Sequence, residues 1–141
     1  MSETFELQHH HGAVSVPNLD ESIAWYERML GFGLERRFYI PQIPATVAML
    51  RRGNLRIELF DVPHAQPLPE GRRNPDSDNR THGNKHVAFA VKDAAAAERV
   101  LRARGADVAL VVRAEHGAGF FVRDNAGNLI EFCQQPDLWT A

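Results

Sequence analysis

The chain reads as an α+β fold of two tandem βαβββ modules, and three observations predict it. A histidine opens an apolar strand twice, at His11 (HGAVSVPNLDES) and at His86 (HVAFAVKDAAAA). Each copy later reaches a Gly-Asn-Leu turn and an Ile-Glu pair, in GNLRIELF and GNLIEFC. The offset between copies is nearly constant, 75 positions from His11 to His86 and 73 from Glu58 to Glu131. Self-similarity at a fixed period marks a repeated structural unit before it marks an activity.

The elements follow in order. Residues 7 to 16 read as a strand, Asn18 or Asp20 can cap a helix, and Leu19, Ile23, Tyr26 and Leu30 recur on one helical face. Gly31 stops that helix. Apolar runs at about 33 to 40, 45 to 51 and 54 to 61 read as strands, the last two joined by a tight turn at Gly53-Asn54. Module one thus spans about 7–61. Residues 62–83 carry four of the eight prolines without periodicity and read as a long connecting loop. Module two, about 84–135, repeats the order: a strand at 84 to 91, a cap at Asp93, an alanine-rich helix to Arg104 and a stop at Gly105. Strands near 107 to 113, 118 to 123 and 128 to 134 complete it, with Asp124-Asn125-Ala126-Gly127 as the final hairpin.

Composition bounds what such a chain does. With 141 residues and 44% hydrophobic content, residues 1–141 suit one domain with a real core. A net charge of −2, without long runs of one sign, offers no electrostatic footprint for nucleic acid. No apolar run is long enough for a bilayer, and the first residues lack a secretory pattern, so a cytoplasmic protein without membrane partners is expected. The single cysteine, Cys133, excludes an intrachain disulfide.

Strand alternation places the polar residues of interest. His11 shares a face with His9, Ala13 and Ser15, and His86 with Asn84 and Ala88. Glu58 shares one with Arg56 and Phe60, and Glu131 with Leu129 and Cys133. Small neighbours leave room in front of each histidine. A lone strand histidine is usually structural and a lone strand glutamate usually solvated, but four such residues in duplicated register are a different matter. Two histidines and two glutamates related by a pseudo-twofold make one metal site. Arg56 either grips an anionic substrate group through its fork or neutralises the glutamates. Arg72 and Arg73 read more simply as solvated loop residues than as parts of a lid. His10 points away and needs only a hydrogen bond, Trp25 and Tyr26 pack helix on sheet, and Cys133 is a small buried apolar residue. Asn84 and His9 join Arg56 as candidate substrate contacts.

These motifs, in their order, resemble the vicinal oxygen chelate superfamily, which includes glyoxalase I, methylmalonyl-CoA epimerase, extradiol dioxygenases and bleomycin resistance proteins. The resemblance runs over nearly the whole chain, through His11 with VPNLDESIAWYERMLGF, GNLRIELF, GNKHVAFAV and FFVRDNAGNLIEF. It implies sheets curled into a cup, helices outside, around one divalent ion (Ni, Co, Mn, Zn or Fe) held by His11, Glu58, His86 and Glu131. It implies a small-molecule substrate and a homodimer, with the cup closed within one chain or by modules exchanged between chains. Glu58 discriminates among reactions. Ring-cleaving Fe(II) dioxygenases resemble a two-histidine, one-carboxylate site, whereas a fourth ligand looks like glyoxalase I or the epimerase. The implied chemistry is proton abstraction next to a carbonyl, with Glu131 or Glu58 as the catalytic base of a lyase or isomerase. An extradiol-type dioxygenase and a bleomycin-resistance-like binding protein are the alternatives. Gln42 falls where the epimerase has a catalytic glutamate and cannot take a proton at neutral pH, which weakens that activity in particular.

Overall fold

Residues 3–139 are described by a computed structural model. In the first half, β1 (Gly12–Ser15), α1 (Leu19–Leu30), β2 (Gly33–Ile40), β3 (Ala45–Arg52) and β4 (Leu55–Asp61) form a sheet of order β1-β4-β3-β2. In the second, β5 (Val87–Val91), α3 (Ala94–Ala103), β6 (Asp107–Ala114), β7 (Gly117–Arg123) and β8 (Leu129–Gln134) form the order β5-β8-β7-β6. In both sheets the first strand pairs in parallel with the last and the other pairings are antiparallel, so the repeat is one of topology as well as sequence.

Local chemistry sets the element ends. The Asn18 side chain accepts the Glu21 amide at 3.0 Å, and Asp93 accepts that of Ala96 at 3.0 Å, each satisfying an orphan donor at a helix start. Gly31 closes α1 at φ 72°, a conformation that costs other residues steric strain. Alternation then sorts each strand. Ile57 and Leu59 are fully buried toward α1, while Arg56, Glu58 and Phe60 take the other face at intermediate burial. The helices therefore cover one side of each sheet and leave the histidine–glutamate side to the site.

Both sheets carry a β-bulge at their third residue. The register passes from Leu34↔Leu50 to Arg36↔Met49 in β2, and from Val108↔Val122 to Leu110↔Phe121 in β6, leaving Glu35 and Ala109 unpaired. A bulge turns two consecutive side chains to nearly the same side.

One core joins the halves. It runs from Leu19, Tyr26 and Phe32 to Leu101, Phe120 and Phe132. Where β1 meets β5 the approach is close, since a Cβ on Gly12 would lie 2.9 Å from a Val87 methyl. Tyr26 also donates its hydroxyl to Asp124 Oδ2 at 2.8 Å, a bond between the halves that reading Tyr26 as a packing residue misses. Burial, then the Asp124 charge and the hydrogen bond, raise its pKa well above 10.0. The folded state resists losing this proton, so the stabilisation is complete below pH 10.0 and is lost as pH rises beyond it. Melting curves between pH 9 and 11 should accordingly show wild type losing more stability than Tyr26→Phe. Parallel losses would show that Tyr26 ionises as freely in the folded state as in the unfolded one.

The segment between modules is more ordered than its composition predicts. It contains a 3-10 turn at Glu70–Arg72 and a short helix, α2 (Pro75–Asp78). Arg72 is not solvated: its Nε meets the buried Asp78 carboxylate and its Nη2 donates to the Asn84 carbonyl at 2.6 Å. Lys85 reaches Asp78 from the other side at 3.6 Å. Arg123 of β7 donates to the Arg73 carbonyl at 2.7 Å, tying the segment to the second sheet. The charged residues that made this stretch look like open loop hold it down.

Candidate metal centre

Each histidine sits one residue before its strand, which corrects the longer strands expected from 7 to 16 and 84 to 91. The consequence is shared by both halves: His11 and His86 stand at the end of the sheet, where the last strand brings a glutamate beside them. His11 Nε2 lies 3.3 Å from Glu58 Oε1, with the side chains 32% and 12% exposed. His86 Nε2 lies 3.1 Å from Glu131 Oε1, with the side chains 26% and 30% exposed. The four predicted donors are thus brought together as two pairs. They are not brought into one cluster, because no group of three or more His, Cys, Asp or Glu side chains forms a candidate metal site among the described residues.

The donor chemistry fits a divalent ion. Imidazole nitrogen and carboxylate oxygen each bind such ions at about 2.0–2.2 Å, so two ligands at right angles stand about 3 Å apart, close to what each pair shows. Orientation differs between the halves. His11 Nδ1 is 2.8 Å from His10 Nδ1, so one ring donates to the other. With the proton of His11 on Nδ1, its Nε2 lone pair is left for a ligand, the usual role of a partner behind a metal-binding histidine. The His86 ring instead stands edge-on to Phe121 at 5.0 Å.

The expected substrate contacts fare unequally. Asn84 joins His86, Ala13, Ser15 and Arg72 around a cavity of about 330 Å³ at the seam between the sheets. Its carbonyl is the group that Arg72 holds. Arg56 points to the Glu58 side, but its fork is taken: Nε and Nη2 donate to the two oxygens of Glu35 at 3.0 and 3.2 Å. Its ion-pair partner is therefore Glu35 rather than Glu58 or Glu131. The Arg56 hydrogen bond, then the charges of Arg56 and Arg51, hold the Glu35 carboxyl below its usual range, so it stays ionised. Glu35 escaped sequence reasoning because an unpaired bulge residue breaks the alternation on which that reasoning rests. His9 lies in the irregular stretch ahead of β1 and is exposed, so period-two alternation does not carry it to the His11 side.

Two further positions matter. Gln42 lies in the exposed turn between β2 and β3, outside any strand, and the β3 residue opposite Glu58 is Met49. No carboxylate from β3 therefore stands across from Glu58. Cys133 follows Glu131 on the same face, and burial, then the Glu131 charge, raise its thiol pKa, so it remains neutral there.

Comparison with known proteins gives a consistent picture. The model of the Glyoxalase/Bleomycin resistance protein/Dioxygenase superfamily matches residues 8–132. Among solved structures, a glyoxalase family protein from Enterococcus faecalis is 20% identical, with a TM-score of 0.73 over 89% of this chain and 96% of that one. A glyoxalase family protein from Bacillus cereus is 23% identical, with a TM-score of 0.70 over 95% and 97%. The trypanothione-dependent glyoxalase I of Leishmania major is 21% identical, with a TM-score of 0.70 over 94% and 90%. At these identities the likeness concerns the fold. No curated protein matches the sequence.

Proposed function

Since the chain belongs to the Glyoxalase/Bleomycin resistance protein/Dioxygenase superfamily, we propose that it is a divalent-metal-dependent lyase or isomerase that abstracts a proton next to the carbonyl of a small oxygenated substrate. The observation that carries this reading is Glu58. A two-histidine, one-carboxylate dioxygenase has no use for it, yet it stands 3.3 Å from His11 and is the least exposed of the four donors. A binding protein without metal chemistry would likewise have no need for two matched histidine–glutamate pairs.

His11, Glu58, His86 and Glu131 would hold the ion. When bound, it supplies Lewis acidity, drawing electron density from the substrate carbonyl and acidifying the neighbouring C–H bond. The rest falls to the chain. Glu131, the more exposed glutamate, takes that proton and returns it to the product, with Glu58 as the other candidate base; a positioned base contributes about 10²–10⁴ in rate. His10 fixes the ring of His11, and Asn84 and the cavity wall beside it orient the substrate. Arg56, on the Glu58 face and paired with Glu35, and His9, two residues before His11, are the further candidate substrate contacts.

We further propose a cytoplasmic homodimer in which modules are exchanged. Each site then takes His11 and Glu58 from one protomer and the second histidine–glutamate pair from the other. The separation of the two pairs within one chain supports this arrangement over a cup closed within one chain.

The test is elemental analysis of tag-free protein, wild type against Glu58→Ala. About one divalent ion per chain, lost or greatly weakened in the variant, is the expected result. Iron retained in Glu58→Ala would turn the reading to an oxygenase, and a wild type that takes up no metal would turn it to a binding protein.

A further inference from the structure

Resting on that metal-site reading, we propose that the substrate carries a second, anionic group remote from the oxygens it offers the metal, and that Arg36 receives it. The bulge in β2 makes this possible. Arg36 pairs across the sheet with Met49, and Met49 with Glu58, so the three side chains share the face of the site. The neighbours fix that orientation independently. Glu35, turned the same way by the bulge, meets Arg56, which is two residues from Glu58. Arg37 points the opposite way, to Asp20 of α1 at 2.6 Å.

The charges on this shelf do not cancel. Glu35 occupies Arg56 through both oxygens and reaches Arg51 at 3.4 Å. Arg36 is left over. Its guanidinium carbon lies 4.7 Å above the Phe38 ring, and none of the ion pairs among the described residues engages it. An aromatic ring steadies a guanidinium from below while its N–H edge stays open to a forked contact with a carboxylate. The other half has no equivalent: its bulge carries Ala109 and Leu110, and Leu129 stands where the first half has Arg56. Among the residues of the two bulges only Arg36 is a cation without an ion-pair partner, so the β2 edge is where an anionic group would be received. β2 lies two strands from β4, about 10 Å away. A small oxo or hydroxy acid with a distal carboxylate, a few carbons from its chelating end, spans that gap with the help of the long arginine side chain.

The experiment is calorimetric binding of α-ketoglutarate and α-ketovalerate to cobalt-loaded protein. The two share a chelating end and a chain length and differ in the distal carboxylate. Wild type should bind the diacid at least about tenfold more tightly. Arg36→Gln should bring the ratio close to unity while leaving α-ketovalerate binding unchanged. Arg37→Gln, with the same loss of charge on the opposite face, should keep the wild-type ratio. A wild-type ratio near unity, or equal losses in the two variants, overturns the assignment. If α-ketovalerate binds as well without cobalt, the metal reading fails separately, and the ratio still decides for or against Arg36.

Discussion

Two variants that each bind no metal should regain it when mixed. In an exchanged homodimer, a chain with His11→Ala and Glu58→Ala lacks one half of each site, and a chain with His86→Ala and Glu131→Ala lacks the other. Unfolded and refolded together, they form mixed dimers in which one site receives two damaged halves and the other two intact ones. Random pairing makes about half the dimers mixed, so metal content should recover to about a quarter of the wild-type value. Recovery from nothing to a quarter is a large signal against a clean background. If both modules of one chain close one cup, every chain in the mixture is missing two ligands and no recovery follows. Size-exclusion of the wild type at dilute and concentrated loading shows in parallel whether a dimer exists to be exchanged.

Asp124→Ala should be the most damaging single change to the fold. The carboxylate is 5% exposed and accepts from four donors. These are the Tyr26 hydroxyl at 2.8 Å, the amides of Ala126 and Asn128 at 2.9 Å, and the Asn128 side chain at 3.1 Å. Truncation leaves a buried hydroxyl from the first half and two turn amides from the second without their partner. Losing a charged acceptor of this kind costs about 3–5 kcal/mol, which lowers Tm by about 10 °C in a domain of this size. Tyr26→Phe should cost only about 1 kcal/mol, because it removes the donor together with its need for an acceptor. The double variant should fall short of the sum, since both changes remove one shared bond. Thermal melts of the four proteins at neutral pH would establish this, and a loss below about 1 kcal/mol for Asp124→Ala would mean that water replaces the carboxylate.

How much of this was legible in the chain differs by element. The helices were, because Asn18, Gly31, Asp93 and Gly105 punctuate them with chemistry that acts within a few residues. The β3–β4 turn was as well: Gly53 takes φ 59°, as a two-residue hairpin requires of a glycine in first place. The duplication singled out His11 and His86, and Glu58 and Glu131, as equivalent positions of the two halves. What stayed hidden depends on distance along the chain or on broken periodicity. The Tyr26–Asp124 bond joins residues 98 positions apart. Asp78 looks like any loop aspartate until Arg72 and Lys85 converge on it. The gathering of the donors into two pairs rather than one cluster is a matter of how the halves sit together, which neither half records.

The matched bulges of β2 and β6 bear on how such a duplicated chain diverges. A residue that the ladder skips has no register partner in the backbone ladder to lose, whatever its side chain meets. Replacing it leaves the pairing of the other strand residues intact, yet its side chain still points toward whatever the sheet encloses. The same backbone irregularity carries Glu35 in one half and Ala109 in the other. Such a site is a cheap mutational handle, because a single codon there changes what a cup prefers to hold while the scaffold that holds it stays the same.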